Sequence, residues 1–140
     1  MTIQEQIVAE LYDAIVFADR DGIIRIWNAG AEAVFGWTAA EAVGQTLDLI
    51  VPERFRERHW SGFNEAVKSV ETKSGRDLLS VPSARKDGER ISLEFTATLI
   101  KADDGSAAGI AACVRDVSKR REEERALKAR LAELEPKTES

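Results

Sequence analysis

The sequence predicts an α+β fold, and three observations carry that reading. Two short apolar runs flank an Asp-Gly turn near the start. Several short helical segments follow and close with one longer helix. Three more β-rich runs come next, the middle one alternating apolar and polar residues. Strands grouped at both ends with helices between them pair most simply as one antiparallel sheet, helices on one side.

Each element has a local reason. Ile3, Ile7, Val8 and Leu11 form one helical stripe, which predicts a short amphipathic helix over residues 3–12 that covers a sheet face or pairs with another copy. Ala14 to Ala18 and Ile23 to Trp27 flank Asp19-Arg20-Asp21-Gly22, the signature of a hairpin. Ala31 to Phe35 is a short helix stopped by Gly36. Thr38 with Glu41 three residues on reads as a capping box. Pro52 suits the first turn of a helix, and apolar spacing carries that helix to about Val70, with Lys73-Ser74-Gly75 ending it. Leu78 to Val81 is a strand. Ile91, Leu93, Phe95 and Ala97 alternate with polar residues as a half-buried antiparallel strand. Ala108 to Val114 is a fifth strand whose small residues predict a tight inner wall. Asp116 is expected to cap a last helix that Pro136 and a polar tail terminate. The organisation is therefore an N-terminal helix over 1–13, a central domain over 14–116, and a C-terminal helix and tail over 117–140.

Bulk properties exclude several function classes. The 140 residues suit one domain with its own core. A net charge of -5, spread along the chain, argues against nucleic acid, which needs a concentrated basic face. Cys113 is the one cysteine, so no internal disulfide or thiolate cluster can form, and a reducing, cytoplasmic setting is expected. The first residues lack the basic and apolar regions of a signal peptide, and no apolar run approaches the roughly 20 residues of a membrane span.

Order and motifs together resemble the PAS family. The resemblance rests on Ala18-Asp19-Arg20-Asp21-Gly22-Ile23-Ile24 running into Trp27-Asn28-Ala29-Gly30-Ala31. It rests also on Phe35-Gly36-Trp37-Thr38 with Glu41 and Gly44, and on Arg85-Lys86-Asp87-Gly88 with Val114-Arg115-Asp116-Val117-Ser118. It spans roughly residues 6 to 118. It implies a five-stranded antiparallel sheet with short helices on one face, flanked by terminal helices. It also implies sensing or dimerisation rather than catalysis.

The histidine in Pro52-Glu53-Arg54-Phe55-Arg56-Glu57-Arg58-His59 has two readings. Pro52, Arg56 and His59 are similar in spacing to a Pro-x-x-x-Arg-x-x-His step in haem-binding PAS sensors, whose histidine ligates the iron. That resemblance implies haem b held by His59, with Phe55, Gly62 and Phe63 on the same helical face. Neutral imidazole suits that role. A lone histidine on a half-apolar face also fits a packed, hydrogen-bonded residue. The position of the oxygen-contacting arginine in those sensors corresponds to Leu79, which cannot donate a hydrogen bond. An apolar distal pocket of Leu79, Val81, Ile110, Ala112 and Val114 is expected. Such a pocket suits carbon monoxide or nitric oxide better than oxygen. Arg76 is expected at an exposed strand edge, and Cys113 on the opposite face of the sheet from Ala112 and Val114.

Other chemistry has little support. Cys113 lies on a strand rather than in the helix that flavin photochemistry in light-sensing PAS domains requires. No phosphate-binding glycine loop or nucleophile–histidine arrangement is present, and no enzyme is expected. Trp27 is expected in the core, Trp37 under the short helices, and Trp60 at the helix edge, about 100° from His59. In the last helix Val117, Arg120, Glu124, Leu127, Leu131 and Leu134 follow a heptad seam that is apolar only in its second half, with Glu124 and Lys128 spaced as an i,i+4 pair. The expectation is a sensor of a diatomic gas or redox state. It would form a homodimer through its terminal helices and belong to a longer protein with an effector domain, such as a histidine kinase or cyclic-dinucleotide enzyme. The alternatives are a cofactor-free dimerisation or interaction module and a sensor of a small organic ligand.

Overall fold

A computed structural model describes residues 1–72 and 76–135. Helix α1 (Ile3–Glu10) leads into strands β1 (Ala14–Asp19) and β2 (Ile24–Trp27). Helices α2 (Ala29–Phe35), α3 (Ala39–Ala42) and α4 (Arg56–Ser69) follow, then strands β3 (Leu79–Ala84), β4 (Arg90–Lys101) and β5 (Ala107–Asp116), and last helix α5 (Ser118–Leu134). The five strands form one antiparallel sheet in the order β2-β1-β5-β4-β3.

Register fixes the two faces, because directly paired residues point the same way. Leu79, Phe95, Val114 and Ala14 form one row across four strands. Ala97, Ala112, Val16 and Trp27 form a second, and Leu99, Ile110 and Ala18 a third. These rows face the helices. The main core gathers Val16, Ile24, Trp27, Phe35, Leu93 and Val114, and Trp27 and Phe35 meet at 5.1 Å between ring centroids. The opposite face carries Ser80, Glu94, Thr96, Cys113 and Arg115, so Cys113 is exposed there as alternation requires.

Asn28 ties the N-terminal third together. It is 4% exposed and caps α2. Its Oδ1 accepts from the Ile15 and Ala31 amides at 2.8 and 2.9 Å. Its Nδ2 donates to the carbonyls of Val8, Asp13 and Leu11 at 2.8, 3.0 and 3.3 Å. The Thr38–Glu41 capping box is present on α3, and Glu41 also pairs with Lys86.

Several expectations need correction. Helix α1 ends at Glu10 and buries no residue, so its stripe does not cover the sheet; Ile3 and Ile7 are exposed. Pro52 precedes a 3₁₀ turn at Glu53–Phe55 rather than the α-helix, which starts at Arg56. The helix ends at Ser69, with Val70 in the left-handed region at φ 54°, before Lys73-Ser74-Gly75, which lie outside the described residues. Strand β3 runs on to Ala84 through Pro82, which a strand at the sheet edge tolerates. Asp116 is not the N-cap of α5. Val117 holds that position, and Asp116 accepts from the Ser118 amide at 2.9 Å. Pro136 and the tail also lie outside the described residues.

Candidate functional site

Between α4 and the inner face of the sheet lies a cavity of about 750 Å³. That is ample for a cofactor-sized ligand. Phe55, His59, Gly62 and Phe63 line it from the α4 side, and Leu79, Val81, Ile110, Ala112 and Val114 from the sheet. All nine residues singled out from the sequence therefore meet at one space. The reason is periodic: a helix repeats its face every three to four residues, a strand every two. Sequence reasoning missed the contribution of β4, whose Leu93, Phe95 and Leu99 complete the sheet side. Their alternation marks them as a buried face but does not say whether that face meets a helix or open space. Arg76 is exposed, but in the turn before β3 rather than on a strand edge, and it does not line the cavity.

The lining is apolar with few polar groups. Buried Ser83 is one, and its hydroxyl donates to the Ile50 carbonyl at 2.6 Å. His59 is the imidazole at the cavity. Its Nδ1 is buried and has no hydrogen-bond partner among the described residues. Leaving a buried ring nitrogen unpaired is costly, and such an atom is a feature of sites that act on something else. Burial pushes the His59 pKa below its ordinary value of 6.5, while the nearby Asp48 carboxylate pulls weakly the other way. The ring is therefore neutral at pH 7 and retains a lone pair. Gly62 is exposed, and no atom beyond the helix's own lies within 4 Å of where its Cβ would stand.

Arg56 gives the Pro-x-x-x-Arg-x-x-His spacing a physical sense. Its guanidinium donates to the carbonyls of Val51 and Asp48 at 3.0 and 3.2 Å. This fastens the first turn of α4 to the preceding segment and fixes where His59, three residues on, emerges. Trp60 does not line the cavity. Its indole N–H donates to Asp48 Oδ1 at 2.7 Å, and its ring lies over Gly22.

On the outer face, α5 is tied to β3 and β4. The Val117 amide donates to the Ser92 carbonyl and the Ser92 amide to Ser118 Oγ, both at 2.8 Å. Glu94 pairs with Arg120 and lies 3.9 Å from Arg121, which donates to Ser80 Oγ at 3.0 Å. Arg120 also reaches Glu124 at 3.5 Å. Of the residues that interrupt the heptad seam, Arg120 thus docks the helix, and Glu124 pairs with it on α5. Beyond them, Leu127, Leu131 and Leu134 are 60%, 55% and 73% exposed.

Among the described residues, no three His, Cys, Asp or Glu side chains gather as a site for a bare metal ion. Haem asks less, because the macrocycle holds the iron and one imidazole completes the attachment. The orphaned His59 Nδ1 and the largely apolar lining fit that group. No helix among the described residues is long and apolar enough to cross a membrane.

Comparison with known proteins agrees with this architecture. A family model described as PAS fold matches residues 8–122. An uncharacterised protein of Azorhizobium caulinodans is 36% identical over 116 residues, 82% of this chain and 16% of its own. The sensor protein FixL of Bradyrhizobium diazoefficiens is 28% identical over 127 residues, 88% of this chain and 23% of its own. The chain thus spans less than a quarter of either relative. The crystal structure of a PAS domain from Colwellia psychrerythraea superposes with a TM-score of 0.72 at 25% identity, covering 83% of this chain and 95% of that one.

Proposed function

The chain belongs to the PAS fold family, a family of sensory modules, and from that premise we propose that it senses through haem b held by His59 in the cavity between α4 and the sheet. The single observation that carries this reading is the half-buried, neutral imidazole of His59, whose buried Nδ1 is unpartnered, at the edge of an apolar cavity. Bound there, haem supplies an iron that takes a diatomic gas or changes by one electron. His59 would hold the group through a ring nitrogen. Leu79, Ile110, Ala112 and Val114 would present an apolar wall to the group, with Val81, 39% exposed, at its rim. Leu79 offers no hydrogen bond to a polar diatomic ligand, which favours carbon monoxide or nitric oxide over oxygen. Strand β4 faces the cavity with Leu93 and Phe95 and holds α5 with Glu94, so displacement of the strand is felt by the output helix. That helix would pass the change to an effector domain, such as a histidine kinase or cyclic-dinucleotide enzyme.

A second reading has its own observation. Ile3, Ile7 and Leu11 on the N-terminal side, and Leu127, Leu131 and Leu134 on α5, stand exposed. Isolated apolar stripes of this kind suit pairing of two copies with or without a cofactor. Hemin titration followed by absorption separates the readings. A saturable Soret band at one equivalent, lost in His59→Ala, supports the haem sensor. A colourless protein that still dimerises supports the cofactor-free module.

A further inference from the structure

His59 has an aim but no hydrogen bond to set it. Histidines that ligate metals nearly always donate their second ring nitrogen to a carboxylate or carbonyl, which fixes the ring. Here neither ring nitrogen of His59 has such a partner among the described residues. Two aromatic rings flank the imidazole instead. Trp60 meets it at 4.8 Å between centroids with planes at 74°, and Phe63 at 6.0 Å and 38°. Trp60 and Phe63 also meet edge-on at 5.3 Å. Phe63 is buried in the core side of α4, but Trp60 would be free to swing without other restraints.

Two contacts from outside α4 restrain it. The Asp48 carboxylate accepts the indole N–H at 2.7 Å. Gly22, in the β1–β2 turn at φ +81°, provides the seat: a Cβ there would overlap the six-membered ring of Trp60. The indole is thus held at its nitrogen and along its far ring, with the imidazole packed against it. Edge-to-face packing between rings is worth roughly 0.5–1.5 kcal/mol beyond burial. That is comparable to the hydrogen bond His59 lacks.

We propose that Trp60 is the positioning residue for His59, with its indole, pinned by Asp48 and seated on Gly22, directing the imidazole toward the cavity in place of a hydrogen bond. The proposal rests on the reading of His59 as the iron ligand, and its test is built so that the two fail separately.

The test uses Trp60→Leu, Trp60→Phe, Asp48→Ala and Asp48→Asn in the whole chain. In hemin-loaded protein, the iron–histidine stretching band and the rate of haem loss are measured. Trp60→Leu and Asp48→Ala are expected to broaden and shift the band and to speed haem loss on the order of tenfold, the low end for groups that orient a metal-bound histidine. Asp48→Asn keeps an acceptor for the indole and is expected to restore wild-type behaviour, which a purely electrostatic role for Asp48 would not. Trp60→Phe keeps a ring without the anchor and is expected to fall between. In haem-free protein, side-chain couplings and ring-to-ring Overhauser contacts of His59 are read by NMR. Wild type is expected to hold one χ1 rotamer, and Trp60→Leu to average several. Unchanged band and off-rate in folded Trp60→Leu, or unchanged rotamer populations in the haem-free protein, would overturn the proposal. If hemin gives no His59-dependent band, the ligand reading falls, and the haem-free rotamers alone decide the role of Trp60.

Discussion

Glu94 on β4 pairs with Arg120 on α5, and the two residues on either side of Glu94 in sequence, Leu93 and Phe95, line the cavity. One strand therefore lines the cavity with one face and holds α5 with the other. The side chain of Glu94 is only 13% exposed, so this pair is better shielded from solvent than an ordinary surface ion pair.

That arrangement makes Glu94→Gln informative. The variant is expected to keep the fold and to lose on the order of 1 kcal/mol or less of global stability. Amide exchange in the first two turns of α5 should rise several-fold, while exchange in β1 and β5 stays the same. Equal protection of α5 in both proteins would show that the backbone tie at Ser92 and Val117 suffices.

Asn28→Ala should be far more damaging. The substitution strands amides of Ile15 and Ala31 and carbonyls of the α1 end in a buried place. A loss of about 3 kcal/mol, or on the order of 10 °C in Tm, is expected from thermal unfolding. Exchange protection of α1 should collapse first. A shift of only a degree or two would mean that water replaces the amide.

The pH dependence follows from His59. Its pKa in the folded protein is below its ordinary value of 6.5, so the unfolded chain binds more protons as the solution is acidified. Stability is fully present above that ordinary value and declines as pH falls from it through the folded value. Asp19, Glu41 and Asp104 are also shifted down, but from ordinary values of 3.8 for the aspartates and 4.5 for the glutamate, so they act at lower pH. Tm between about pH 7 and pH 5 should therefore drop more steeply in wild type than in His59→Gln. Parallel curves would contradict a buried neutral ring.

These features differ in how far they are legible in the sequence. The Thr38–Glu41 capping box is legible because both partners lie within one turn. The sides of the cavity are legible because periodicity fixes which side of each element faces inward. Asn28 is legible as a cap but not as the anchor of Val8 and Leu11, whose carbonyls reach it only after the chain folds back. The same holds for Trp60 on Gly22 and for Glu94 with Arg120. The reading of Pro52 as a helix start fails by one turn, because proline fits a 3₁₀ turn as well as an α-helix. The stripe on α1 predicts burial, yet among the described residues nothing covers Ile3, Ile7 or Leu11.

That uncovered stripe and the exposed leucines of α5 support a further expectation. Changing Leu127 and Leu131 together to Gln should weaken self-association at least tenfold by sedimentation, with little change in Tm at fixed low concentration. A monomer in both proteins would remove α5 as a pairing surface.

The central claim is that an imidazole nitrogen of His59 is the protein's ligand to haem iron. The most direct measurement is hemin binding to His59→Gly, followed by absorption, with and without added free imidazole. No Soret band characteristic of the wild type is expected until imidazole is supplied, and the band should recover when imidazole occupies the space left by the side chain. A wild-type band in His59→Gly without imidazole would contradict the claim.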